Sequence, residues 1–276
     1  MISNPVCNLC GFAEFETLQS QRDADIYLRL VGIDDSSVIR EWRKCVSCSH
    51  VYNSAQLDLY EITKLYDEFR NQEWRNETPD RYFDRITSLA VSESENCSKA
   101  KLLLDHLSDD TLRRGGSLID IGCGGGVLIH TLQKYFPENW RFSGVEPTAS
   151  FAELAERRTN ADIRAVMYKS GLFVDRQFQM ATCCQVLEHL AEPRGFLAHA
   201  HQDLAKDGWL YLEVPDISDF SSLPSDHDRF MVQHVSYFSE PVLRNLLEAS
   251  DFALRHVGIT RTVRERNNLW CLAQAA

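Results

Sequence analysis

The stretch Leu118-Ile119-Asp120-Ile121-Gly122-Cys123-Gly124-Gly125-Gly126 constrains the fold more than any other part of the chain. A short apolar strand runs directly into glycines, which let a backbone turn sharply and be approached closely by a ligand. Beyond it the pattern of strand, turn, helix and strand repeats. Candidate strands are Leu118–Ile121, Phe142–Val145, Ile163–Val166, Phe178–Cys183 and Trp209–Val214. Helical stretches lie between most of them, near Val127–Tyr135, Ala149–Arg158 and Glu192–Leu204. Such alternation predicts a parallel sheet covered on both faces. After a helix near Glu240–Ala249 come two more strands, about Phe252–Thr260 and Asn268–Ala273. The polar, Arg-rich link between them is too short for anything but antiparallel pairing. The expected fold is therefore α/β, a Rossmann-like seven-stranded sheet of five parallel strands plus an antiparallel pair, over residues 113–276.

Residues 1–55 are different in kind and read as short strands and turns around Cys7-Asn8-Leu9-Cys10 and Cys45-Val46-Ser47-Cys48. Two residues between cysteines let both thiolates reach one ion from a single tight turn. Gly11 and Ser49, one after each pair, suit such turns. The nine cysteines are an odd number in a chain whose first residues, Met1-Ile2-Ser3-Asn4-Pro5, lack the basic and apolar regions of a signal peptide. That usage points to metal binding in the cytosol rather than a disulfide framework. Cys7, Cys10, Cys45 and Cys48 are thus expected to hold a structural zinc in a small zinc-ribbon-like module, a loose one given the 34 residues between the pairs. A thioredoxin-like redox pair would open a helix in a strand–helix unit, a pattern not found here. His50 reads as a polar surface residue. Residues 56–112 form a helical connector, with Leu59, Ile62, Tyr66 and Phe69 at helical spacing, then Tyr82, Ile86 and Leu89, then Ala100, Leu103, Leu104 and Leu107. Thr78-Pro79 starts the second of these helices, because proline fits a first turn.

A dinucleotide fingerprint, Gly-x-Gly-x-x-Gly, fails in both registers, since Val127 and Ile129 stand where its third glycine would be. The glycine loop instead resembles motif I of class I S-adenosylmethionine-dependent methyltransferases, Asp-x-Gly-x-Gly-x-Gly. That resemblance implies a S-adenosylmethionine site at Asp120, Gly122 and Gly124, with Asp120 facing the cationic part of the ligand. Glu146-Pro147 ends the second strand, where a carboxylate accepts hydrogen bonds from a ribose diol. The fourth strand leads into Cys184-Gln185-Val186-Leu187-Glu188-His189-Leu190, similar to the VLEHL segment of small-molecule and sugar methyltransferases. Cys184, Gln185 and Glu188 are accordingly assigned to the ligand site. Those enzymes start this strand with Phe-Asp, and Phe178-Gln179 stands here.

Module, connector and catalytic domain in this order resemble the zinc-module methyltransferases that include deoxysugar C-methyltransferases. His234-Val235-Ser236-Tyr237-Phe238-Ser239 is similar to their EHLSYFS element, whose acid–base group lies in Tyr-x-Glu-His. Met231-Val232-Gln233-His234 keeps only the histidine. Those enzymes also carry a further C-terminal domain, whereas this sequence ends at Ala276. The expected reaction is therefore O-methylation of a sugar or sugar nucleotide, with carbon methylation of a deoxysugar as the alternative. His234 is the first candidate base, because an imidazole titrates near ~6.5 when unperturbed. His227, flanked by Asp226 and Asp228, is the second and His189 the third.

The net charge of −11 argues against a phosphate-backbone partner, although Arg261, Arg264 and Arg266 cluster near the C-terminus. An RNA base methyltransferase, or a non-catalytic protein that only binds S-adenosylmethionine, stays open as a reading. No apolar run approaches the ~20 residues of a membrane span.

Overall fold

Glycine and proline set the boundaries of the central elements. In the computed structural model, which describes residues 2–3, 6–22, 24–69, 77–174, 176–218, 220–224, 227–263 and 265–276, the strand β6 (Gly116–Ile121) ends at the glycine turn. (Asp226 and Arg264, named above, lie outside the described residues, as do Met1, Asn4 and Pro5.) Gly126, in the left-handed region at φ 80°, starts the helix over Val127–Tyr135. A side chain there would meet the Cα and Cβ of Ala155 at 3.0 Å. Thr78 caps the helix over Pro79–Thr87 by accepting from the Arg81 N–H, with Pro79 in its first turn. Pro193 and Pro241 likewise sit in the first turns of the helices over Pro193–Asp203 and Glu240–Glu248.

From the N-terminus the further strands are β1 (Ile2–Ser3), β2 (Phe15–Gln21), β3 (Arg40–Cys45), β4 (Val51–Asn53) and β5 (Ala55–Gln56). Beyond β6 come β7 (Trp140–Val145), β8 (Asp162–Arg164), β9 (Phe178–Cys184), β10 (Leu204–Pro215), β11 (Ser236–Tyr237), β12 (Phe252–Arg261) and β13 (Asn267–Ala275). The large sheet has seven strands in the order β12-β13-β10-β9-β6-β7-β8. Its five strands β6 to β10 are parallel, and β13 runs antiparallel between β10 and β12. This is the expected arrangement, with β8 ending two residues early at Arg164.

The pleat sends alternate residues to opposite faces. Leu118, Met180, Tyr211 and Leu272 pack under the helices over Glu95–His106 and Val127–Tyr135. Ile119, Ala181, Leu210, Leu212 and Cys271 pack against Leu197, Leu243 and Leu246 of the other two helices. Each fully buried aliphatic side chain of this kind contributes about 1.5–3 kcal/mol.

The N-terminal strands make a second sheet in the order β11-β4-β3-β2. Its outer strand β11 comes from far along the chain: Ser236 pairs with Tyr52 and Tyr237 with Val51. Residues 1–55 are therefore joined to the 113–276 region by backbone hydrogen bonds, and they also contain a short helix over Ile26–Leu30. Asp25 secures this junction. It is fully buried, lies 2.8 Å from the buried Arg40 guanidinium, caps that short helix, and accepts the Val232 N–H at 2.7 Å.

Removing one partner of a buried ion pair strands the other charge, so Asp25→Ala should lose about 3–5 kcal/mol of stability in urea unfolding. Asp25→Leu with Arg40→Met should recover most of that loss. A single-mutant loss below about 1 kcal/mol would mean that water solvates Arg40 and that the pair is not a structural tie.

Candidate active site

The carboxyl ends of the parallel strands open onto a cavity of about 420 Å³, at the edge where ligands enter such sheets. Ile121 and Gly122 after β6, Val145, Glu146 and Pro147 after β7, and Cys184, Gln185 and Val186 after β9 form its floor. Its roof is unexpected. Tyr27 comes from the N-terminal segment, and Leu65 and Tyr66 from the helix over Leu59–Phe69, so the connector helps enclose the site.

The floor is fixed by Glu146. Its carboxylate is 3% exposed and accepts the N–H groups of Gly124 and Thr148, each at 3.0 Å. A carboxylate has about four lone-pair sites, so acceptor capacity remains for a diol. Gly122, at φ 76°, must be glycine, since a Cβ would lie 2.4 Å from Val186 Cγ2. Asp120 and Gly124 are not among the lining residues. Asp120 is buried below the loop, accepting from the Thr182 hydroxyl at 2.7 Å, and burial pushes its pKa up to about 7. Through that bond it links β6 to β9. Gln179, in place of the acid expected there, accepts the Ser117 N–H at 2.7 Å.

The opposite wall carries Glu188, His189 and His234, whose ligating atoms lie within 4.8 Å of one another. The Tyr237 hydroxyl donates to the Arg229 carbonyl, so its oxygen must accept from His234 Nδ1, 2.8 Å away. That assigns the ring proton to Nδ1 and the lone pair to Nε2. His189 Nδ1 faces the Gln233 carbonyl at 2.8 Å and is a donor by the same logic. The two rings are 5.0 Å apart. Burial, with His189 and the Arg229 and Arg266 guanidiniums nearby, holds His234 well below the usual imidazole pKa. Glu188 is fully buried, neither of its oxygens has a hydrogen-bond partner among the described residues, His189 Nε2 lies 3.8 Å from one of them, and burial pushes its pKa up to about 8.

His227 is not in the cavity lining. It is half-buried, and its Nδ1 accepts the Arg229 N–H at 3.2 Å, capping a short turn. Sequence reasoning missed the wall residues Arg229 and Asn268, the roof, and a buried polar group behind the wall. In that group Lys99 lies 3.1 Å from Glu213, which also accepts from Tyr211 and Asn268. Lys99 sits among Ala100, Leu103 and Leu104, and that proximity to an apolar stripe was the one available signal.

The four cysteines converge, with Cys7 Sγ 3.6 Å from Cys48 Sγ and Cys10 Sγ 3.5 Å from Cys45 Sγ. None is in a disulfide. Zinc–sulfur bonds of ~2.3 Å in a tetrahedron put sulfurs about 3.8 Å apart, so the donor set fits. Both turns close as expected, with Gly11 at φ 75° and Ser49 at φ 61°. His50 departs from expectation. It is buried, not on the surface, with Nε2 3.2 Å from Ser236 Oγ, and desolvation lowers its pKa to about 3.

Residues 94–257 match the family model described as a methyltransferase domain. A Streptomyces fradiae protein, called an uncharacterized 37.1 kDa protein in transposon TN4556, is 29% identical over 58% of this chain and 46% of its own length. The ubiquinone biosynthesis O-methyltransferase of Thiobacillus denitrificans is 27% identical over 36% of this chain and 44% of its own. The chain thus spans about half the length of these curated relatives. Among solved structures, magnesium protoporphyrin IX methyltransferase of Synechocystis with bound SAH is similar at TM-score 0.56 and 14% identity, over 78% of this chain and 99% of that one. A S-adenosylmethionine-dependent methyltransferase from Clostridium acetobutylicum has TM-score 0.55 at 12% identity, over 71% and 98%. These two likenesses concern the fold, whereas the family model covers more than half of the sequence: the chain belongs to the methyltransferase-domain family.

Proposed function

We propose that this chain transfers a methyl group from S-adenosylmethionine to a hydroxyl of a small polar acceptor. The observation that carries the reading is one cavity with Glu146 and the glycine loop on its floor and an oriented, neutral His234 on its wall. S-Adenosylmethionine supplies an electrophilic methyl carbon when bound. Gly122, Glu146, Pro147, Cys184 and Gln185 hold it, Glu146 through the ribose hydroxyls, with Asp120 and Gly124 acting through the loop they support. His234 Nε2 takes the acceptor proton, His189 shares that wall, and Glu188 in its neutral form donates a hydrogen bond to the acceptor. Enclosure by Tyr27, Leu65 and Tyr66 excludes competing water.

A sugar or sugar nucleotide is the first acceptor class, resting on the resemblance carried by His234–Ser239. A phenol is the second, favoured by relatives named as ubiquinone biosynthesis O-methyltransferases and by the aromatic lining of Tyr27, Tyr66 and Phe196. The net charge disfavours RNA. Cys7, Cys10, Cys45 and Cys48 would hold a structural zinc, which brings four thiolates together and ties the two turns. Among the described residues no helix is long and apolar enough to cross a membrane. We place the chain in the cytosol, whose reducing conditions keep such thiols available to metal.

Calorimetry should show binding of S-adenosylmethionine or S-adenosylhomocysteine, weakened by roughly 1–3 kcal/mol in Glu146→Ala as hydrogen bonds to a charged group are lost. Binding of NADH with neither of these ligands would overturn the reading. Methyl transfer to nucleotide sugars and to phenols, followed by mass, separates the acceptor classes.

A positioned base contributes ~10²–10⁴-fold, so His234→Ala should lower turnover by about that factor and leave cofactor affinity near wild type. His227→Ala, outside the cavity lining, should remain active. The reverse outcome would move the base to the Asp226–Asp228 segment.

The pH dependence follows from two opposite shifts. Sequence alone suggests a rate rising through the neutral range as His234 loses its proton. Because burial lowers His234, the ring is already deprotonated there, and turnover should be flat through neutrality and fall only in acid. Glu188 is neutral below about 8 and ionises above it, so turnover should decline as pH rises through that value. Glu188→Gln keeps a donor that cannot ionise and should abolish the alkaline limb. An unchanged limb in that variant would remove Glu188 from the mechanism.

A further inference from the structure

The cysteine site and the wall of the cavity share one strand. The second cysteine pair spans the turn between β3, which ends at Cys45, and β4, which begins at Val51. β4 carries β11 on its other edge, through Tyr52 opposite Ser236 and Val51 opposite Tyr237. Both cysteine turns converge on one hydroxyl. Asn8, inside the first pair, donates to Ser236 Oγ at 3.1 Å, and His50, just after the second, lies 3.2 Å from the same atom. The next residue, Tyr237, fixes the proton and the orientation of His234.

The same turns hold the Glu188–His189 side. Asn8 donates to the Ala191 carbonyl at 3.2 Å, and Arg194 donates to the Leu9 carbonyl at 2.8 Å. Val235, which precedes β11, donates to the Glu188 carbonyl at 2.8 Å. Beneath them Cys7, Leu9, Cys45 and Tyr52 belong to one apolar cluster with Leu187, Phe238 and Val242. By contrast, the hydrogen bonds that close the glycine loop on Glu146 involve no residue of the N-terminal segment.

We propose that metal held by Cys7, Cys10, Cys45 and Cys48 positions His234 through Ser236 and Tyr237, so that the acceptor half of the site depends on the ion and the cofactor half does not. The proposal rests on the zinc reading above. Asn8, Ser236 and Tyr237 are positioning residues here. An isolated appended module would make methyl transfer indifferent to the ion. In this geometry the two turns are the support on which Ser236 rests, and losing the ion releases both at once.

The test uses the full chain, with its metal measured first by elemental analysis. Absence of zinc from freshly purified reduced protein defeats the zinc reading itself, separately from the coupling. The loaded protein is then stripped with a chelator under reducing conditions. Three quantities are followed: S-adenosylhomocysteine affinity by calorimetry, methyl transfer, and the His234 imidazole titration by NMR, assigned with His234→Gln. The groups facing that ring are His189, Arg229, Arg266 and Tyr237. Stripping should leave affinity within about threefold, cut turnover at least ~10²-fold as a positioned base is lost, and move the titration up toward the ordinary imidazole range. Added zinc should reverse all the changes. An unchanged titration and turnover in stripped protein would overturn the proposal.

Loss of cofactor binding on stripping would overturn the claimed independence of the cofactor half; Ser236→Ala, with zinc still in place, then decides the path to His234. It should retain one zinc per chain, lower turnover about tenfold through the lost hydrogen bonds, and shift the His234 titration in the same direction. Ser236→Thr, which keeps the hydroxyl, should restore both. A Ser236→Ala protein with the wild-type titration and turnover would show that the path does not exist.

Discussion

The carboxylate of Glu146 sets the geometry of the sheet's carboxyl edge. One oxygen takes the Gly124 N–H and the other the Thr148 N–H, so a single side chain fixes the glycine turn against the start of the next helix. Burying a carboxylate is costly unless hydrogen bonds replace its water. The fold meets that demand differently at each strand end. Glu213, at the end of β10, is compensated by Lys99, Tyr211 and Asn268. Glu188, in the turn after β9, has no such hydrogen bonds among the described residues, only His189 Nε2 at 3.8 Å, and burial raises it to about 8. Three acids of similar burial thus differ in their partners, and two of them, Glu146 and Glu188, line the cavity.

The N-terminal segment is part of this arrangement rather than an attachment to it. Asp25 binds Arg40 within the segment and Val232 outside it, while β11 completes a sheet begun more than 180 residues earlier in the chain. The apolar cluster around Cys7 and Cys45 continues into the core under β10 and the helix over Glu240–Glu248. Trp42 packs edge-on against Phe230 at 5.2 Å, which ties the same sheet to the turn carrying Arg229. The wall of the cavity is therefore held from both sides: by the parallel sheet through Glu188, and by the small sheet through Tyr237.

How much of this was legible in the sequence depends on the range of the interaction. The strands β6, β7, β9 and β10 follow from apolar runs and glycines, since local period and turn chemistry are written in adjacent residues. The positive φ of Gly11 and Ser49 follows from the cysteine spacing in the same way. β11 leaves no such trace: two residues carry no period, and their pairing with Val51 and Tyr52 is decided by tertiary packing. His50 was misread for the same reason, because its burial comes from Ser236 and Phe238. His227 drew attention through its acidic neighbours, yet charge in sequence does not say which way a turn presents a ring. The candidate site was legible where it is local, in Gly122 and Glu146, and ambiguous where it is assembled across the chain.

Desolvation gives the wall its chemical character and limits what it can do. Lowering the pKa of His234 makes the imidazole a weaker base but favours the unprotonated ring that the proposed role requires. A hydroxyl is far less acidic than imidazolium, so full proton transfer before methyl transfer would be uphill. In the proposed O-methylation the proton would move as the carbon–oxygen bond forms, when the acceptor oxygen becomes acidic. A base in that role needs orientation more than strength. Tyr237 would supply the orientation by holding Nδ1 and leaving the lone pair on Nε2, and in the proposed reaction the buried Glu188 acid would donate to the acceptor without adding a second charge. A solvated histidine at the same position would be a stronger base but would spend its time in many orientations, and the enclosure that prevents this is the enclosure that lowers its pKa.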